Sequence, residues 1–258
     1  MKEQLQNCIT SATDDQKFYL HLIHNSHDQL INNEEPIVWH EPILDEYWNQ
    51  LETKVGMNQL DIVTTDISGI HISNVEIKKE RLAALVAMFF SGRATNSSTR
   101  FNFVNANICG EGIVCLSKLV DVSSNLQEFC LHHNRIDNFE SARCLSRSLK
   151  SHACVKCLAI THCDLGSTPE ILSVILQSDI KYICLDSNNI DSLGAAKIAE
   201  YLEGDPPIEE LFLGHNRLND YDVILISHAL KRNTNLRRIE LCSNNLTSIG
   251  VKALLKRN

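Results

Sequence analysis

No stretch of the 258 residues approaches the roughly 20 consecutive apolar residues that a membrane-crossing helix needs, so no membrane contact is expected. Positive charge is also in short supply. Twenty-four Lys and Arg face 32 Asp and Glu, a net charge of −8, and an acidic chain is a poor partner for phosphate backbones. No nucleic-acid role is therefore expected. The one basic spot, Lys231-Arg232 with Arg237-Arg238, reads as the end of a helix complementing its own dipole. The opening residues Met1 to Asn7 lack the apolar run of a secretory signal and the arginines of a transit peptide. Ten cysteines are scattered rather than spaced as a disulfide framework, so the expected setting is reducing, in the cytoplasm or nucleus. Catalytic signatures are missing as well. There is no G-x-x-x-x-G-K-[ST], no H-E-x-x-H and no G-x-S-x-G, and no order of nucleophile, base and orienter can be traced among the Cys and His residues. The chain is not expected to be an enzyme, nor to carry a cofactor.

What is present is a repeat. Taking the second apolar residue of each short alternating run as a marker gives Phe103, Leu131, Ile160, Leu185, Leu213 and Leu241, at steps of 28, 29, 25, 28 and 28 residues. Two residues before each marker stands another apolar residue, from Phe101 to Ile239. Five residues after it stands a third, from Ile108 to Leu246. Three residues after it come Asn134, Cys163, Asn188, Asn216 and Asn244, with Ala106 as the exception. Alternation buries one face of a strand. An Asn where the chain leaves that strand can satisfy backbone groups that would otherwise be unpaired, and stacking it repeat upon repeat makes a ladder. Gly112, Gly194 and Gly250 mark helix starts, and segments such as Ala195–Leu202 close each unit with an apolar helical stripe.

These columns resemble the leucine-rich repeats of the ribonuclease-inhibitor-like class, whose pattern runs close to LxxLxLxxNxIxxxGxxxLAxxL. Ile180 to Gly194 carries it, and Leu236 to Gly250 repeats it almost position for position. The resemblance covers residues 99–258. It implies an α/β solenoid shaped as a horseshoe arc, with parallel strands on the concave side and helices on the convex side. It also implies a non-enzymatic scaffold or recognition module that binds another protein on its concave face. The family offers one activity, GTPase activation of the Ran type, but its acidic tail after the repeats has no counterpart here.

Outside the repeats, residues 59–98 read as a degenerate first repeat, with Ile70, Ile72 and Ile77 in place and Val75 where Asn belongs. Residues 1–58 hold three lysines against ten carboxylates, which accounts for seven of the eight net negative charges. Asp14 to Leu30 and Pro42 to Leu51 read as helices, and this acidic segment is expected to cap the first repeat, the alternative being a partner-binding arm. The chain ends at Leu254-Leu-Lys-Arg-Asn258 directly after a repeat helix, without a polar capping unit. Either the sequence is a fragment or that edge associates end to end with another copy.

Side chains between the buried strand positions look outwards. They are Glu128, Cys130 and His132; Cys157, Ala159 and Thr161; Tyr182, Cys184 and Asp186; Glu210, Phe212 and Gly214; Arg238, Glu240 and Cys242. Tyr182 and Phe212 on adjacent strands, rimmed by charge, form the expected contact centre. The competing possibility is a Cys/His metal site. His133, His162 and His215 share the column two after the marker, near Cys154, Cys157, His152 and Cys163, whereas zinc wants four ligands in tetrahedral geometry. A single CxxC does not make such a site, and no metal ligand is assigned.

Overall fold

A computed structural model describes residues 100–255 and, before them, the backbone of one strand at 69–73 together with Glu76, Ile77 and Leu82. The helices expected over 14–30 and 42–51, and with them the capping role of 1–58, lie outside the described residues. Seven strands form one sheet in chain order, every neighbouring pair parallel. They are β1 (Gly69–Ser73), β2 (Arg100–Val104), β3 (Glu128–His132), β4 (Cys157–Thr161), β5 (Tyr182–Cys184), β6 (Glu210–Phe212) and β7 (Arg238–Glu240). From β2 onward a helix follows each strand: α1 (Glu111–Val122), α2 (Phe139–Ser151), α3 (Pro169–Leu176), α4 (Ser192–Glu203), α5 (Asp220–Ala229) and α6 (Ser248–Leu255). This is an α/β leucine-rich-repeat solenoid.

The register follows the repeat columns. Phe101 pairs with Phe129, Phe129 with Leu158, Leu158 with Ile183, Ile183 with Leu211 and Leu211 with Ile239. Ile70 and Ile72 of β1 pair with Phe101 and Phe103, which puts this strand in register with the others. One core runs the length of the stack. Phe103, Leu131, Ile160, Leu185 and Leu213 are all fully buried in it, beneath inward helix residues such as Leu116, Leu145, Leu172, Ile198 and Ile226. Each such side chain contributes about 1.5–3 kcal/mol by leaving water. The 25-residue step is accommodated between β4 and β5, where a 3-10 turn (Leu165–Ser167) and an eight-residue helix opened by Pro169 replace the longer helices of the repeats on either side.

The direction of curvature has a simple cause. Paired strands stand about 4.8 Å apart, while packed helices cannot approach closer than about 8–10 Å. A stack with one strand and one helix per repeat must therefore bend toward its strands, making the helix-free face of the sheet concave.

Buried amides bond the turns together. Asn134 Oδ1 accepts from the N–H groups of Ala106 (3.2 Å) and Ile108 (3.1 Å) in the preceding repeat, and its Nδ2 donates to Phe103 O (2.8 Å) and His132 O (2.9 Å). Asn216 Oδ1 likewise accepts from Asn188 N and Ile190 N, both at 3.0 Å. Asn244 Oδ1 accepts from Leu218 N at 3.0 Å. Cys163 occupies one rung with a thiol 3.2 Å from Thr161 O, while its own N–H is taken by Asn188 Oδ1 at 2.9 Å.

Candidate functional site

Strand pairing assembles the outward residues into rows. Arg100, Glu128, Cys157, Tyr182, Glu210 and Arg238 form the first, and Asn102, Cys130, Ala159, Cys184, Phe212 and Glu240 the second. A third begins Val104, His132, Thr161 and continues through Asp186, Gly214 and Cys242, because the backbone bonds His162 N–Asp186 O, Ser187 N–Gly214 O and His215 N–Cys242 O extend the ladder past β5 to β7.

Charge on this face is largely paired. Arg100 meets Glu128 at 2.6 Å at one end. At the other, Arg238 meets Glu240 at 2.9 Å and Glu210 at 3.8 Å. Such exposed pairs are worth little individually but fix where the long side chains lie. The expectation of exposed aromatics needs correcting: Tyr182 and Phe212 are only half-exposed. The Arg238 guanidinium lies over the Phe212 ring, 5.0 Å from its centroid, as cations do on an aromatic face. Beside Tyr182, Lys181 holds the Glu209 carboxylate at 2.6 Å and keeps it below the usual carboxylate range. The Lys181–Glu209 contact was not readable from spacing, because both residues precede their strands.

Burial shields the thiols at the centre of the face from ionisation. Burial, helped by the neighbouring Cys157, pushes Cys130 up to about 12. Burial pushes Cys184 up to about 11. Both remain protonated at neutral pH, whereas reactive cysteines are thiolates. No disulfide joins the described cysteines.

A second zone lies where the strands end. His133 and His162 stack with ring centroids 4.1 Å apart and planes 15° from parallel. With His215, Asp164, Ser187 and Asn189 they line an open recess of about 330 Å³. His132, on the concave side of this rim, holds Thr161 Oγ1 at 2.6 Å through Nδ1. The shared histidine column has a backbone cause. The six residues two past the markers, Asn105, His133, His162, Ser187, His215 and Ser243, all have φ between 48° and 57°, the left-handed region in which Asn, Asp and His are several-fold enriched. Burial lowers the proton affinity of His132 and His162, and neighbouring imidazoles add to it: His133 and His162 for the former, His133 and His215 for the latter.

The other metal candidates are dispersed. His152 Nδ1 accepts from the N–H groups of Cys154 (3.2 Å) and Val155 (3.3 Å), Cys157 faces the concave side, and Cys163 belongs to the ladder. Among the described residues no group of three or more His, Cys, Asp or Glu is placed to hold a metal ion.

The sequence matches no family model. No curated protein matches it either. Among solved structures the chain is similar to an internalin of Listeria monocytogenes, at 15% identity and a TM-score of 0.31, over 73% of this chain and 65% of that one. It thus spans just under two thirds of the internalin's length. It is also similar to the tropomodulin C-terminal domain of Caenorhabditis elegans, at 14% identity and a TM-score of 0.28, over 81% of this chain and 90% of that domain. Overlaps this partial leave the fold resting on strand register and repeated columns.

Proposed function

We propose that this chain is a non-enzymatic recognition module of the ribonuclease-inhibitor-like repeat class, which binds another protein on its concave face. The observation that carries the proposal is the face itself. Six strands in register present rows of half-exposed aromatic, thiol and charged side chains, with every described helix on the opposite side. The contact surface comprises Glu128, Cys130, His132, Tyr182, Cys184, Asp186, Glu210, Phe212, Arg238 and Glu240. Its centre is the Tyr182–Phe212–Arg238 group, because aromatic and arginine side chains ringed by polar contacts dominate interface energetics. Protonated thiols and internally paired charges support a binding role over a catalytic one. None of the described helices is long and apolar enough to cross a membrane, and the proposed setting is cytoplasmic or nuclear.

Affinity capture from native lysate, with wild type beside a Tyr182→Ala/Phe212→Ala variant, tests this. The expected result is a protein retained by wild type and weakened by about 2 kcal/mol or more in the variant. The variant should stay folded with only a modest drop in thermal midpoint, since the two side chains are half-buried and outside the continuous core. A partner held equally by both forms overturns the assignment of this face.

A further inference from the structure

The recess at the strand ends is a gap in a stack of rings. Two residues past the marker, four successive turns carry His133, His162, Ser187 and His215, all on left-handed backbone. The first two rings lie face to face with centroids 4.1 Å apart. Ser187, with its short hydroxymethyl group, puts no ring on the third rung. The backbone bonds His162 N–Asp186 O (3.4 Å) and Ser187 N–Gly214 O (3.0 Å) keep the rungs in order. His162 and His215 therefore stand two strand spacings apart, about 10 Å. That is room for one flat group, with a face toward each imidazole at about the separation aromatic pairs prefer.

The gap also has a carboxylate without a cation. Besides the three histidines and Ser187, Asp164 and Asn189 line the recess. Asn189 Nδ2 donates to Asp164 Oδ1 at 2.9 Å, which leaves Oδ2, and Asp164 has no ion pair among the described residues. The arginines of its column are occupied or elsewhere: Arg135 meets Asp137 at 3.4 Å, and Arg217 is not among the residues lining the recess. On the concave side of the rim, Asp186 Oδ1 accepts from Gly214 N at 2.6 Å and His132 holds Thr161. Burial, with His133 and His215 adding to it, holds down the proton affinity of His162, so its ring is neutral at neutral pH. Neutral aromatic faces around an uncompensated carboxylate suit a flat cation.

We propose that the gap over Ser187 takes the guanidinium of an arginine side chain from a partner protein, stacked between His162 and His215 with its N–H edge on Asp164. The proposal rests on the reading of this chain as a protein-recognition module and gives its partner an anchoring residue at the rim. At neutral pH arginine has the only side chain that is flat, fully charged and edged with donors. Its faces lie on aromatic rings, and its edge matches a carboxylate. A lysine ammonium is a point charge with no face to stack. A phenyl ring would fill the gap but bring no donor to Asp164.

NMR titration of the full chain with the capped peptide acetyl-Gly-Arg-Gly-amide, beside its lysine and tryptophan counterparts, tests this. The arginine peptide should shift the ring resonances of His162 and His215 saturably and bind at least about fivefold more tightly than either counterpart. Ser187→His puts a ring on the empty rung, in a column whose backbone already carries three histidines. It should keep the circular dichroism of wild type and weaken arginine binding at least about tenfold. Asp164→Asn keeps the contact with Asn189, removes the charge and should cost at least about fivefold. Lowering the pH from about 7.5 to about 5.5 charges the imidazoles, which then repel the guanidinium, so binding should weaken. The Tyr182→Ala/Phe212→Ala variant should bind the peptide as wild type does, so the recess and the concave face fail separately. The proposal is overturned by the absence of ring shifts, by a lysine or tryptophan peptide that binds as tightly, by full affinity in Ser187→His, or by binding that does not weaken at the lower pH.

Discussion

Asn188 illustrates what one side chain does in this molecule. It is fully buried, accepts from Cys163 N at 2.9 Å, and donates to Ile160 O at 2.6 Å and Asp186 O at 3.2 Å. Asn188→Ala leaves one N–H and two carbonyls of the solenoid wall without that partner, and unsatisfied buried groups cost about 1–3 kcal/mol each. A loss of about 3 kcal/mol or more is expected in urea unfolding; a loss within error of zero would show that the ladder is incidental. Gly166 tests steric limits in the same region. A Cβ there would lie 2.1 Å from Asn189 O and 2.4 Å from its carbonyl carbon, both backbone atoms that cannot rotate away. The ladder Asn was legible in the sequence because it recurs. Gly166 was not, because the close approach of Asn189 comes from the shortened repeat alone.

At the scale of elements, two histidines near the strand ends, His132 and His162, lose proton affinity on folding. His132, His133, His162 and His215 share the rim with Asp164 and Asp186, and Asp186 partly offsets the repulsion felt by His162. His132 and His162 hold protons less tightly folded than unfolded, chiefly because burial disfavours the charged ring. Between the folded values and the ordinary value of about 6.5 the unfolded chain therefore binds more protons. Their contribution to stability is complete at neutral pH and is lost as pH falls below about 6.5. The expected outcome is a thermal midpoint that declines between about pH 7 and pH 5, and less steeply in His132→Gln and His162→Gln. Equal slopes in all three proteins would remove these histidines from the account. Sequence reading placed His133, His162 and His215 in one column as metal candidates. The structure shows a left-handed backbone as the reason the column tolerates His.

Across the whole molecule, each repeat touches only its neighbours, so stability is a sum of local units and interfaces. β2 to β6 each lie between two partners over a fully buried core, whereas Ile239 and Leu241 around β7 stay partly exposed. Native-state hydrogen exchange should show greater protection in β2 to β6 than in β7 and α6. Uniform protection along the array would contradict this nearest-neighbour picture.

The sequence by itself determined the repeat length, the buried strand positions, the ladder residues and the side of the sheet each strand residue faces. All of these follow from periods of two within strands and about 28 between them, and a period survives without coordinates. Contacts between columns were decided only by the tertiary structure. Arg238 over Phe212, Lys181 on Glu209 and the His133–His162 stack depend on rotamers and on neighbours one repeat away. Ser187 stands in the histidine column as well, yet the recess over it could not be read from spacing. A column fixes the order of its residues, and only the winding of adjacent turns brings Asp164 and Asn189 to the same gap.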